Sequence, residues 1–100
     1  MRVIARRTLR DFWEGGPAYA DAEGPLRSWY AEARRAGWRT PADVKARYAN
    51  ASVLQAGRVV FNIGGNKYRL VVQINFTYQM IYVRFIGTHA QYDAIDAQTV

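Results

Sequence analysis

Residues 59–76 read V-V-F-N-I-G-G-N-K-Y-R-L-V-V-Q-I-N-F, and residues 81–92 read I-Y-V-R-F-I-G-T-H-A-Q-Y. From Lys67 to Phe76 apolar and polar residues alternate. Tyr68, Leu70, Val72, Ile74 and Phe76 point one way, and Lys67, Arg69, Gln73 and Asn75 the other. That period belongs to a half-buried strand. Val59, Phe61 and Ile63 alternate similarly before Gly64-Gly65, which supplies the positive φ of a two-residue hairpin turn. Such a turn pairs Ile63 with Asn66 and Asn62 with Lys67, and sets Phe61 opposite Tyr68 on the core side and Val60 opposite Arg69. In the last strand Ile81, Val83 and Phe85 form the core set, because the other set holds Tyr82 and Arg84. Matching faces then requires a connecting loop with an even number of residues, Thr77-Tyr78 or Thr77 to Met80. The stretch predicts three antiparallel strands with cations on one open face. Those cations repel one another unless an anion, or a carboxylate from elsewhere, offsets them. Such a surface is built to meet an anion.

Downstream, Gly87-Thr88-His89 ends the strand and opens a helix with Thr88 as N-cap. His89 and Tyr92, three apart, share a helical face, and Ile95 can anchor the other side. Backbone N–H groups at this helix start would also favour a phosphate. Upstream, Arg2 to Ala5 is a weak edge strand. Thr8 caps a helix carrying Leu9, Phe12 and Trp13, which Gly15-Gly16-Pro17 ends. A second helix spans Asp21 to Ala36, with Pro25 in its first turn and an apolar stripe of Leu26, Trp29, Tyr30 and Ala33. Thr40-Pro41 opens a third, which stops before Ala49-Asn50. The expected fold is α+β: N-terminal helices packed on a small antiparallel sheet, with a short C-terminal helix. Residues 1–100 form one expected domain.

The formal net charge is +6 and the sequence pI is about 10.1, which points to nucleic acid or another polyanion. The acids are Asp11, Glu14, Asp21, Glu23, Glu32, Asp43, Asp93 and Asp96. None lies between Val44 and Tyr92, where Lys45, Arg47, Arg58, Lys67, Arg69 and Arg84 stand without acids of their own segment. There is no cysteine, hence no disulfide framework and no thiolate metal site. No apolar run reaches membrane-spanning length and no signal-peptide h-region is present, so a cytoplasmic location is expected. A two-metal nuclease lacks its central carboxylates, one histidine without cysteine argues against zinc, and no Walker or dinucleotide glycine pattern occurs. What remains suits metal-free, cofactor-free RNA cleavage. In that reaction a 2′-OH attacks the adjacent phosphate with help from a general base, a general acid and cations. His89 is the single histidine. Alone it would read as structural, but it follows a cationic sheet and shares a face with Tyr92.

The segments F-N-I-G-G-N-K-Y-R-L-V-V and I-Y-V-R-F-I-G-T-H-A-Q-Y-D resemble the HigB-type toxins of the RelE superfamily, as do R-T-L-R-D-F-W-E, P-L-R-S-W-Y and W-R-T-P-A-D-V-K upstream. The resemblance runs through nearly the whole chain. It implies a RelE-like, microbial ribonuclease-type fold and a type II toxin that cuts mRNA at the ribosome without metal. It also implies neutralisation, in a hetero-oligomer, by a HigA-type helix-turn-helix antitoxin. Lys67 and Arg69 match the basic pair of the family's G-N-x-Y-R-L motif, Arg84 the arginine of its last strand, and His89 and Tyr92 its T-H-x-x-Y-D motif. The resemblance thus gives Arg69 and Arg84 to the scissile phosphate and Lys67 to charge stabilisation or proton transfer. His89 becomes general acid or base, and Tyr92 a nucleotide contact or a partner in proton transfer. Arg58, Asn62, Asn66, Gln73, Lys45 and Arg47 are the expected surrounding RNA contacts. The competing reading is a non-catalytic RNA- or ribosome-binding module on the same basic face.

Overall fold

A computed structural model describes residues 1–100. In chain order the elements are β1 (Arg2–Ile4), α1 (Arg6–Glu14), a 3-10 turn (Pro17–Ala22), α2 (Glu23–Arg35) and α3 (Pro41–Arg47). There follow β2 (Ser52–Val53), β3 (Arg58–Ile63), β4 (Tyr68–Asn75), β5 (Met80–Thr88) and α4 (His89–Asp93). The class is α+β, as the sequence implies. The three expected strands form the centre of a five-stranded sheet of order β1-β5-β4-β3-β2. The sheet is mixed rather than wholly antiparallel, because β1 lies parallel to β5, with Arg2 beside Met80 and Ile4 beside Tyr82. Two apolar residues mark an edge strand but not its direction, which depends on a partner at the other end of the chain.

Local signals set some helix ends and tertiary contacts set others. At α3, Thr40 Oγ1 accepts the Asp43 N–H (3.3 Å) and Asp43 accepts the Thr40 N–H (3.2 Å), a closed capping box. At α4 the same device joins Thr88 and Gln91, at 3.1 and 2.9 Å. Helix α1 starts earlier than expected: Ala5, not Thr8, occupies the cap. The chain leaves the ladder at Ile4 and turns at once, so strand pairing overrides the preference for threonine. Helix α2 starts later, at Glu23, because Pro17–Ala22 winds into the tighter 3-10 turn. Asp21 therefore stands outside the helix it was expected to open.

The first hairpin keeps the predicted faces but not every predicted partner, and the second keeps them only as far as Val83. Gly64 and Gly65 have φ of 63° and 71°, yet the β3–β4 loop has four residues, Gly64 to Lys67. Ile63 pairs with Tyr68, Asn62 with Arg69 and Phe61 with Leu70. A register displaced by two residues leaves every side chain on its original face, although Lys67 becomes a loop residue and Phe61 faces Leu70 rather than Tyr68. The β4–β5 loop is even-numbered as required, with Asn75 pairing with Met80. Between Val71 and Val72 lies a bulge: Val72 pairs with Val83 and Val71 with Phe85, which leaves Arg84 as the extra residue. The bulge sends Phe85 to the open face, against expectation, and lets Ile86 join Ile81 and Val83 on the helix-covered face.

The helices cover one face of the sheet with Leu9, Trp13, Leu26, Trp29, Ala33 and Val44, joined by Trp38 from the segment between α2 and α3. Phe61 is the hub of this core: its ring lies 5.4 Å from Trp29, 6.2 Å from Trp38 and 5.1 Å from Tyr48. Tyr30, expected in the buried stripe, is half-buried beneath the Arg6 guanidinium, 5.6 Å from its ring centre. The opposite face is not wholly open. Val60 and Val71 are buried there under Ala97, with Phe85, Tyr92, Ile95 and Val100 around them. Arg58 fastens this cover by donating to the Ala97 and Val100 oxygens, at 3.2 and 2.5 Å.

One glycine is indispensable at the rim. Gly57 has φ +76°, and a Cβ there would stand 2.4 Å from the Ile74 carbonyl oxygen. The same residue accepts the Ile74 N–H at 2.8 Å. Gly57→Ala is expected to cost about 2 kcal/mol through left-handed backbone and the clash. A thermal melt would show this as a fall of several degrees. An unchanged melt would mean the turn accommodates a side chain.

Candidate active site

Arg69, on β4, stands opposite Gly87 of β5, so no side chain crowds it from across the ladder. Gly87 also makes room for two neighbours: a Cβ there would lie 2.5 Å from the Phe85 ring and 2.8 Å from Gln91 Oε1. The Arg69 guanidinium lies 5.9 Å from the Tyr92 ring centre, and its Nη1 donates to the Asn66 carbonyl at 3.3 Å. Arg84, in the bulge, donates to Gln73 Oε1 at 2.8 Å and lies 5.7 Å from the Tyr82 ring centre. Gln73 is itself held, since its Nε2 donates to the Ala56 carbonyl at 3.1 Å. No carboxylate forms an ion pair with Arg69 or Arg84. Both guanidiniums thus keep unused donors for an anion.

His89 opens α4. Its backbone N–H donates to the Lys67 carbonyl at 3.2 Å, and its Nδ1 is 3.1 Å from Asp93 Oδ2. Asp93 orients the ring, and sequence reasoning gave it no role although it stands at i+4 from His89. Gln91 ties the same helix to the 3-10 turn by donating to the Tyr19 hydroxyl at 3.3 Å. The structure therefore brings Arg69 and Tyr92 together where α4 leaves the sheet, with His89 at the first residue of that helix and Arg84 and Gln73 farther along the same face.

Lys67 is differently placed. Its Nζ is 2.5 Å from Asp21 Oδ2, and the other oxygen of that carboxylate accepts the Tyr68 hydroxyl. This is a carboxylate from elsewhere in the chain, delivered by the 3-10 turn, and no local pattern announced it. The Lys67 hydrogen bond holds the Asp21 carboxyl below its ordinary range, and that bond in turn raises the Lys67 ammonium. The Tyr68 phenol is raised by burial and then by Asp21. A depressed carboxyl stabilises the fold above its ordinary value of 3.8, and that contribution is lost as pH falls through the folded-state value. A raised ammonium contributes below its ordinary value of 10.5, and that share is lost as pH rises through the higher folded value. The stability gap between wild type and Asp21→Asn should therefore be constant around neutrality and close in acid below pH 3.8. Urea midpoints measured against pH would check this. A gap that persists in acid would assign the effect to packing.

The expected outer contacts divide. Asn62, Asn66 and Gln73 lie beside Arg69 or Arg84. Lys45, Arg47 and Arg58 have intramolecular partners instead. Lys45 donates to the Ala49 and Ala51 carbonyls at 2.7 and 2.8 Å. Arg47 pairs with Glu32 at 2.5 Å, which also accepts the Tyr48 hydroxyl at 2.7 Å. Burial, then Glu32, pushes that phenol up. No three His, Cys, Asp or Glu side chains gather into a group that could hold a metal ion.

The sequence model of the HigB toxin family, described as a RelE-like toxic component of a toxin-antitoxin system, matches residues 22–95. The chain belongs to the HigB toxin family. The matched segment contains all of β4, β5 and α4, so it carries Arg69, Arg84, His89 and Tyr92. Curated HigB relatives are similar along almost their whole length. An mRNA interferase toxin HigB of Escherichia coli and an mRNA interferase HigB of Shigella flexneri are each 28% identical over 99 residues, covering 97% of this chain and 92% of the relative. As a HigB toxin the chain has an antitoxin for its partner. No helix is long and apolar enough to cross a membrane.

Proposed function

We propose that this HigB-family toxin is a metal-independent endoribonuclease, an mRNA interferase acting on messages at the ribosome. One observation carries the reading: two guanidiniums without carboxylate partners share a sheet face with the helix that bears His89 and Tyr92. Curated relatives named mRNA interferases support it. The 2′-OH oxygen bonds to the adjacent phosphorus while the P–O5′ bond breaks, leaving a 2′,3′-cyclic phosphate and a 5′-hydroxyl. Arg69 and Arg84 hold the charge that develops on the phosphate oxygens. His89, oriented through Nδ1 by Asp93, moves a proton at Nε2, and Tyr92 contacts the nucleotide or shares the transfer. Lys67, paired with Asp21, gives charge support or shares the proton transfer once it leaves that carboxylate. Residues 1–100 act as one domain in the cytoplasm, inhibited in a hetero-oligomer by a HigA-type helix-turn-helix antitoxin.

The deciding experiment maps the ends of RNA incubated with the toxin, both free and loaded on ribosomes. New 5′-hydroxyl and cyclic-phosphate ends are the expected result. Cuts bearing 5′-phosphate ends would exclude attack by the 2′-OH. No cuts, with RNA or ribosome binding retained, would favour a non-catalytic binding module.

A further inference from the structure

At the end of the β4–β5 ladder remote from α4, the sheet has a notch. Strand β3 begins at Arg58, paired with Gln73, while β4 runs on to Asn75. The space left beside the longer strand is a cleft of about 610 Å³, lined by Gln73, Asn75, Phe76 and Tyr82, with Ala56 and Pro41 at its sides. Its volume suits a small planar ligand. Its polar groups are fixed in advance. Gln73 is held by the Ala56 carbonyl and Arg84, and Asn75 Oδ1 accepts the Tyr78 N–H at 2.9 Å, which leaves the Asn75 amide hydrogens unused. Tyr78, on the hairpin loop that supplies Phe76 to the cleft, is 76% exposed, and no hydrogen bond engages its hydroxyl. The proposed chemistry has no use for this exposed tyrosine, for Tyr82 or for the notch.

We infer that this cleft is a nucleobase subsite, which takes a base of single-stranded RNA flanking the scissile phosphate. The inference rests on reading the chain as an RNA-cleaving toxin. Unpaired bases are recognised by stacking on aromatic rings and arginine planes and by amide contacts to their edges. The cleft provides the ring of Tyr82 and the amides of Gln73 and Asn75, Arg84 adjoins it through Gln73 and Tyr82, and Tyr78 on the neighbouring loop is an outer platform. Arg84 joins the two regions, because it lies over Tyr82 while its strand face leads toward Arg69. Arg69 and Gln73 are four residues apart on β4, a separation of ~13 Å, which an extended strand spans in a few nucleotides. A base seated here would make cleavage depend on sequence at a fixed distance from the cut.

The test titrates isotope-labelled protein with uncleavable 2′-O-methyl tetranucleotides of each single base, followed by NMR. The expected result is shifted amides at Gln73, Asn75 and Thr77, strongest for one base. Binding of that oligonucleotide should weaken about tenfold in Tyr82→Ala and be restored in Tyr82→Phe, which keeps the ring. Tyr78→Ala, at an exposed position, should weaken it by a smaller factor without affecting the fold. Shifts confined to Arg69, His89 and Tyr92, or equal binding of wild type and Tyr82→Ala, would overturn the subsite. Cut sites are mapped in parallel. A positional preference flattened in Tyr82→Ala supports the subsite, and an unchanged preference overturns it. Cleft binding by a wild type that cuts no RNA would support the subsite while the interferase reading fell.

Discussion

Alanine in place of Arg69 is expected to reduce RNA cleavage ~10²–10³-fold, the usual loss when a preorganised donor to developing charge is removed. Two effects compete in this estimate. Arg69 also contacts the Asn66 carbonyl and the Tyr92 ring. The first is a 3.3 Å contact on an exposed side chain, so neither should contribute more than about 1 kcal/mol to folding. The catalytic loss should therefore dominate, and a thermal melt should barely move. Arg69→Lys separates charge from shape. It keeps the positive charge and loses the planar fork, so it should recover only part of the rate. His89→Ala is the companion variant. If it still cuts at the wild-type rate, proton transfer belongs to Tyr92 or to Lys67. If Arg69→Ala cuts at the wild-type rate, the phosphate is held elsewhere.

Phe61→Ala should do the reverse, with a cost of ~3–5 kcal/mol in stability. The ring is 1% exposed and touches Trp29, Trp38 and Tyr48, which come from α2, the segment before α3 and the end of α3. Its removal leaves three aromatic side chains facing one cavity that none can fill without leaving its own packing. Single domains are stable by about 5–15 kcal/mol, so the variant stands at the edge of folding. Its melting temperature should fall by about 15–30 °C. A fall under about 5 °C would mean that the three rings close the gap.

What was legible in the sequence is what local chemistry decides. The alternation from Lys67 to Phe76 needs no partner to show which side of β4 is buried, and both capping boxes lie within four residues. The even-numbered loop before β5 followed from parity alone. Illegible features needed the far end of the chain. Ala5 caps α1 because Ile4 is paired with Tyr82. Asp21 reaches Lys67 across the chain once a 3-10 turn replaces the expected helix start. The bulge at Arg84 reconciles Ile81, Val83 and Ile86 with one core, a choice between two packings that a period of two cannot make. Val71 was the overlooked clue on the open face. A valine among Arg69, Gln73 and Asn75 needed cover, and the last residues of the chain supply it. The site showed the same division. Its residue types lay in two short segments, whereas the partner of Lys67 and the Ala56 anchor of Gln73 came from elsewhere.

The parallel pairing of β1 with β5 has a consequence for how the protein is made. Arg2 leaves the ribosome 78 residues ahead of its neighbour Met80. Pairings this distant in sequence form late, since loop-closure entropy must be met before the contact rewards it. The β3–β4–β5 meander can assemble from near neighbours, whereas the N-terminal strand must wait for its partner. A chain halted midway through synthesis would lack β5 and α4, and with them Arg84 and His89. Synthesis thus has an order of safety: truncated products are unfinished as folds and also lack part of the proposed site.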